Sequence, residues 1–178
     1  MKHSWLCIFL LLGLVQCNNY QYGSYNRRNL TADTVLVRAE ARYHGQFYAG
    51  VNGHVCSMNM YSAGLSTDLN GTLQGTGTLV SLSDIFIPLT DTVLPDGMYL
   101  VDSLAEPWHI LRGQSVDKTL TGARLRLVQD GVTARTFLFQ GGEIRLYSVG
   151  DSTLIDLNLT TTDRQTYHAV LEGIVAYD

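Results

Sequence analysis

The feature that most constrains this chain is a two-residue alternation of apolar and polar side chains that starts near Thr34 and recurs to the C-terminus. Across residues 35–43, Val35, Val37, Ala39, Ala41 and Tyr43 share one face, and Arg38, Glu40 and Arg42 share the other. Successive side chains of a β-strand point to opposite faces, so this period describes a strand with one face buried. Cys56, Met58 and Met60 alternate in the same way with Ser57 and Asn59, Ala123, Leu125 and Leu127 with Arg124 and Arg126, and Ile155, Leu157 and Leu159 with Asp156 and Asn158. Further strands are expected over 73–81, 98–103, 108–111, 136–139, 143–148 and 166–177. Between them stand Asn52-Gly53, Asn70-Gly71, Pro95-Asp96-Gly97, Asp130-Gly131, Gly141-Gly142 and Gly150-Asp151. Asn-Gly and Asp-Gly adopt the left-handed backbone of tight hairpins at low cost, so each is read as a turn. No window of ten residues holds a helical period, and 81–87 (SLSDIFI) is read as one helical turn.

The expected fold is therefore all-β, an antiparallel β-sandwich or closed barrel of about ten to twelve short strands, because an open sheet of that size leaves long unpaired edges. Two stretches about a hundred residues apart, GHVCSMNMY (53–61) and STLIDLNLT (152–160), match in apolar pattern and in Asn59 and Asn158, as two related meander halves would. A chain of 178 residues accommodates one such domain, placed at 32–178. Net charge −4 gives no general electrostatic hold on a phosphate backbone, so nucleic acid is not an expected partner.

The first segment reads as an export signal. Lys2 precedes an unbroken apolar run, WLCIFLLLGLV (5–15). At eleven residues it is too short for a membrane-spanning helix, which needs about 20, and has the length of a signal core. Leu14-Val15-Gln16-Cys17 resembles the lipobox of bacterial lipoproteins, with Gln16 where Gly, Ala or Ser is usual. The resemblance implies a signal over 1–17, lipidation of Cys17 and a membrane contact made through that anchor alone. Residues 18–31 (NNYQYGSYNRRNLT) are polar, lack an apolar period and read as a tether. Cys56, in an alternating strand, is expected as a small core residue; a signal cut upstream of Cys17 would instead leave Cys17 free to pair with it.

The strand entry RYHGQFYAG (42–50), the turn LPDGMYL (94–100) and the stretch YLVDSLAEPWHILRGQSVDKTLTGARL (99–125) resemble those of uncharacterised secreted lipoproteins of the Bacteroidetes group. The likeness lies in Tyr43-His44-Gly45, Gly97-Met98-Tyr99 and a last strand running from Gly173 to Tyr177. It implies a β domain in the bacterial cell envelope, held at the outer membrane and facing the periplasm or the cell surface. The same group modifies exported proteins at Asp-Ser/Thr followed by an aliphatic residue, Met or Thr. Asp33-Thr34-Val35, Asp91-Thr92-Val93, Asp102-Ser103-Leu104 and Asp151-Ser152-Thr153 fit that pattern, which makes Thr34, Thr92, Ser103 and Ser152 candidate O-glycosylation sites.

Signals for catalysis are sparse. The chain has four glutamates, and nothing in the sequence singles out two of them as the carboxylates a glycosidase sets across its cleft. His44, His54, His109 and His168 show no metal-ligand spacing, and the Gly pairs open no helix. No cofactor or metal is expected, and the chain is read as a non-enzyme. Candidate ligand contacts are Trp108 and His109, after Pro107, and Tyr43 and Tyr48 within the cluster that includes His44 and Phe47. An aromatic face with polar neighbours is a platform for sugar rings or for a protein partner. The expected function is an envelope protein that binds a glycan or partner protein, or serves a structural or adhesive role. The alternative is a lipocalin-like carrier with Met58, Met60, Phe137 and Phe139 lining an apolar cavity; a hydrolase ranks third.

Overall fold

The computed structural model describes residues 33–178, and the expected signal, Cys17 and the expected tether lie outside them. The described domain is all β. Its strands are β1 (Thr34–Gly45), β2 (His54–Ser62), β3 (Leu65–Thr67), β4 (Leu73–Gly75), β5 (Gly77–Ile87), β6 (Gly97–Asp102) and β7 (His109–Leu111). They continue as β8 (Gln114–Val116), β9 (Thr119–Thr121), β10 (Arg124–Gln129), β11 (Val132–Val149), β12 (Ser152–Thr161), β13 (Thr166–Gly173) and β14 (Val175–Tyr177). The fourteen strands exceed the expected number because several, such as β3, β4, β8 and β9, are only three residues long.

The main sheet closes on itself. Its path runs β10-β11-β12-β13-β1-β2-β5, and β10 pairs with β5 as well as β11. Beyond β10 the gap between the long strands β5 and β11 is bridged by β7 and β6, with Ile85 opposite Ile110 and Ile144 opposite Tyr99. Closure removes the edges that an open sheet would expose. The sheet is mixed and not purely antiparallel: β1 runs parallel to β13 and β14, and β6 parallel to β7. The enclosed core gathers Leu36, Ala39, Met58, Met60, Tyr99 and Phe139 with the inward residues of the remaining strands. Each large apolar side chain buried there contributes about 1.5–3 kcal/mol.

Cys56, Met58 and Met60 and their counterparts Ile155, Leu157 and Leu159 all face this one core, as the alternation requires. The chain path around them differs. β2 reaches β5 through the β3–β4 hairpin, whereas β12 turns directly into β13, so the likeness of the two stretches is one of strand pattern. Cys56 is a fully buried free thiol.

β-Bulges account for most departures from the expected pattern. A bulge sets two residues of one strand against one of its neighbour and shifts the alternation by one. At Val37 such a shift lies between Leu36 opposite Ser62 and Arg38 opposite Tyr61. Leu36 is therefore inside, while Val35 and Val37 are 66% and 53% exposed, the reverse of the face expected for them. At the end of β10 the alternation holds but the cover changes: Leu127 is exposed, and Val128 is buried outside the main core, in a small cluster with Tyr61, Leu79 and Leu65 of β3. Residues 81–87 continue β5 without a helical turn. Gly141-Gly142 makes no hairpin and lies within β11, at a bulge opposite Thr160 and Thr161. Gly142 has φ +113, and a Cβ there would come within 2.2 Å of the Asn158 carbonyl oxygen, so the close approach of β12 requires a residue without a side chain. Asp130-Gly131 is the two-residue hairpin expected, with φ of 50 and 79.

Candidate functional site

Two further bulges lie side by side and shape the outer face of the barrel. On β1, Tyr43 opposes Cys56 and Gly45 opposes Val55, which leaves His44 as the extra residue. On β5, Ile85 opposes Cys56 and Leu82 opposes Met58, so Ser83 and Asp84 together face Ser57. Leu82 and Ile85 both belong to the core, and the side chains of Ser83 and Asp84 between them point outwards. A hollow of about 190 Å³ opens at this point, lined by His44, Phe47, Val55, Ser83 and Asp84.

The loop between β1 and β2 builds its wall. Phe47 and Tyr48 follow Gly45, and a ladder of rings runs from His44 through Phe47 and Tyr48 to Phe86 on β5. Phe86 is fully buried beneath Tyr48, whereas Phe47 stays 65% exposed. Tyr48 Oη donates to Asp84 Oδ1 at 2.7 Å, and His44 Nε2 and Ser57 Oγ share a hydrogen bond of 2.9 Å. From the far side Arg124 Nη1 donates to Ser83 Oγ at 2.8 Å. Burial, followed by the adjoining Asp84 carboxylate, pushes the Tyr48 phenol up to about 12. The phenol thus stays protonated and holds the carboxylate in place. Chemically, the hollow offers an exposed aromatic ring beside a carboxylate, an imidazole and a hydroxyl.

Of the sequence-based candidates, Tyr48 adjoins this hollow, through Asp84 and the ring of Phe47, and the other three do not. Tyr43 faces the other side of β1, packs against the core and meets His54, with its hydroxyl 2.9 Å from Nδ1. His54 Nδ1 in turn lies 3.0 Å from the Asp91 carbonyl oxygen. Trp108 precedes β7, with its indole over Gly97 and Tyr99 and 37% of its surface exposed. His109 is held by Asp102 at 2.9 Å and lies 3.7 Å from Glu106. Asp84, Ser83 and Arg124 were missed by sequence reasoning. An Asp in the apolar run SLSDIFI was the available signal, and it was read as a helical turn.

Met58, Met60, Phe137 and Phe139 sit within or against the packed core, and the hollow is lined by none of them. A second, shallower cavity of about 450 Å³ lies over β5 and β10 beside Thr76, Leu127 and Asp130, where Thr76 and Asp130 satisfy each other. Thr34 and Ser152 are partly exposed at strand starts, and Thr92 and Ser103 are exposed in loops. Among the described residues no group of three His, Cys, Asp or Glu side chains is placed to hold a metal ion.

The fold and hollow together define an all-β closed-sheet domain with a small polar-aromatic depression on its outer wall. Comparison with protein-family descriptions, curated proteins and solved structures finds no match for the chain.

Proposed function

We propose that this chain is an exported, non-catalytic cell-envelope lipoprotein whose β domain binds a glycan in the hollow at His44, Phe47, Tyr48, Ser83 and Asp84. The carrying observation is Phe47: a large aromatic ring left mostly exposed beside a carboxylate whose geometry Tyr48 secures. Sugar rings present an apolar face and a hydroxyl rim, and this pairing of ring and polar groups meets both. The signal-like run at 5–15 and Cys17 support export and an anchor at the outer membrane. Thr34, Thr92, Ser103 and Ser152 belong to the same reading as candidate O-glycosylation sites on the exported domain.

A glycan array probed with the mature chain tests the site. Binding is expected to be lost in Phe47→Ala and Asp84→Asn and kept in Trp108→Phe. Unchanged binding by folded Phe47→Ala protein contradicts the assignment. Labelling of cells with an alkynyl fatty acid tests the anchor: Cys17→Ser should abolish the label, and a label that survives rules the anchor out.

A further inference from the structure

The outer face beside the hollow carries a charge opposite to that of the domain. From residue 33 onward the sequence holds nine Lys or Arg against sixteen Asp or Glu. Yet strand pairing gathers four of the nine on one face. Arg38, Tyr61, Leu79 and Arg126 form one row across β1, β2, β5 and β10. Glu40, Asn59, Ser81 and Arg124 form the next, and Arg42 stands opposite Ser57, which in turn faces Ser83 and Asp84 of the hollow. Glu40 and Asp84 are the acidic residues among them, so arginine outnumbers carboxylate two to one.

Arg38 is answered by its neighbours, whereas Arg124 and Arg126 are incompletely so. Arg38 lies over the Tyr61 ring at 4.1 Å and pairs with Glu40 at 3.3 Å, and Tyr61 Oη donates to the same Glu40 at 2.8 Å. Glu40 is therefore engaged twice. Arg126 reaches Ser81 only at 3.5 Å, and its buried Nε has no hydrogen-bond partner. The hydrogen bonds of Arg124 to Ser83 and Gly122 both use Nη1. Burial, and then the charge of its neighbour Arg126, hold the Arg124 guanidinium below its ordinary value. A half-buried like-charge pair is relieved by an anion that reaches the outer guanidinium nitrogens, and guanidinium donors match the two oxygens of a carboxylate or sulfate.

We infer that the glycan held at this site is acidic, a uronate- or sulfate-bearing chain whose anionic groups lie on Arg124, Arg126 and Arg42 while a ring rests on Phe47. The inference rests on the glycan reading above and adds its charge class. Asp84, tied to Tyr48, takes sugar hydroxyls in the hollow.

The test compares oligogalacturonate with its methyl ester, which carries the same sugars without the charge, beside alginate, dextran sulfate and uncharged dextran. At least one acidic chain should bind about tenfold tighter than its neutral counterparts, a difference of about 1.4 kcal/mol, and added salt should weaken it. Arg124→Gln and the exposed Arg42→Gln should each erase the preference in protein whose unfolding temperature is kept. Neutral and acidic chains bound equally, both lost with Phe47→Ala, would overturn the charge assignment and leave the glycan reading standing. Failure of every chain on this panel and of the array together would overturn both. A single-stranded oligonucleotide bound more tightly than any acidic glycan would overturn the choice of ligand.

Discussion

At one end of the closed sheet the aromatic side chains pair off with one another, while on the adjoining outer wall one of them is left without a cover. Trp108 lies on Tyr99, Tyr99 Oη donates to the Pro95 carbonyl, and Tyr43 meets His54. Those contacts close the end of a barrel. Phe47 and Tyr48 come from the same short stretch as Tyr43, but the bulge at His44 and the turn after Gly45 send them over the outside of β5. Residue type does not separate the two groups. What separates them is how much ring is left open: Phe47 stays 65% exposed beside a carboxylate held by Tyr48, against 37% for Trp108, whose indole packs on Gly97 and Tyr99.

The largest expected effect separates them by stability. Tyr99→Ala removes a fully buried ring from the core and should cost about 3–5 kcal/mol, as large aromatic truncations do, read by denaturant unfolding. Next comes Gly97→Ala. A Cβ there would stand 2.5 Å from Trp108 Cζ3 and must displace the indole, an overpacking cost of about 1–3 kcal/mol. If Gly97→Ala unfolds at the wild-type denaturant concentration, Trp108 is not a structural plug and belongs back among the ligand candidates.

A smaller effect is expected at alkaline pH. The Tyr48 phenol sits near 12 when folded and near 10 when free, and Tyr61, desolvated and donating to Glu40, is raised to about the same value. A raised tyrosine favours the folded state while protonated. Its contribution is whole below pH 10 and is lost as pH rises through 12. Absorbance titration of tyrosinate should show late-titrating groups, and Asp84→Asn should bring the Tyr48 step down. The smallest effect belongs to Phe47→Ala, which should change stability by less than about 0.5 kcal/mol because the ring is mostly exposed. A larger loss would mean that Phe47 is packing and not platform.

Much of the interior was legible in the sequence. The inward faces of β2, β12 and the first part of β10 follow directly from alternation, and Asp130-Gly131 turns where its chemistry says it should. The bulges were not legible. A bulge changes no composition and only shifts the phase, so Val35 and Val37 look like core residues, and the successive outward pair Ser83-Asp84 breaks period 2 in a way that imitates a helical turn. The site was half legible for the same reason. His44, Phe47 and Tyr48 are neighbours in sequence, but Asp84 and Arg124 join them only through the β2–β5 and β5–β10 pairings. Strand closure similarly depends on β10 serving both β5 and β11, a long-range choice with no local signature.

On the reading proposed above, ligand binds on the outer wall and not at the barrel end. Titrating isotope-labelled protein with its best-binding glycan, followed by amide and indole chemical shifts, tests this directly. Saturable shifts are expected at His44, Phe47, Tyr48, Ser83 and Asp84, with the Trp108 indole unmoved. Shifts centred on Trp108 and His109, with the hollow silent, would contradict that reading.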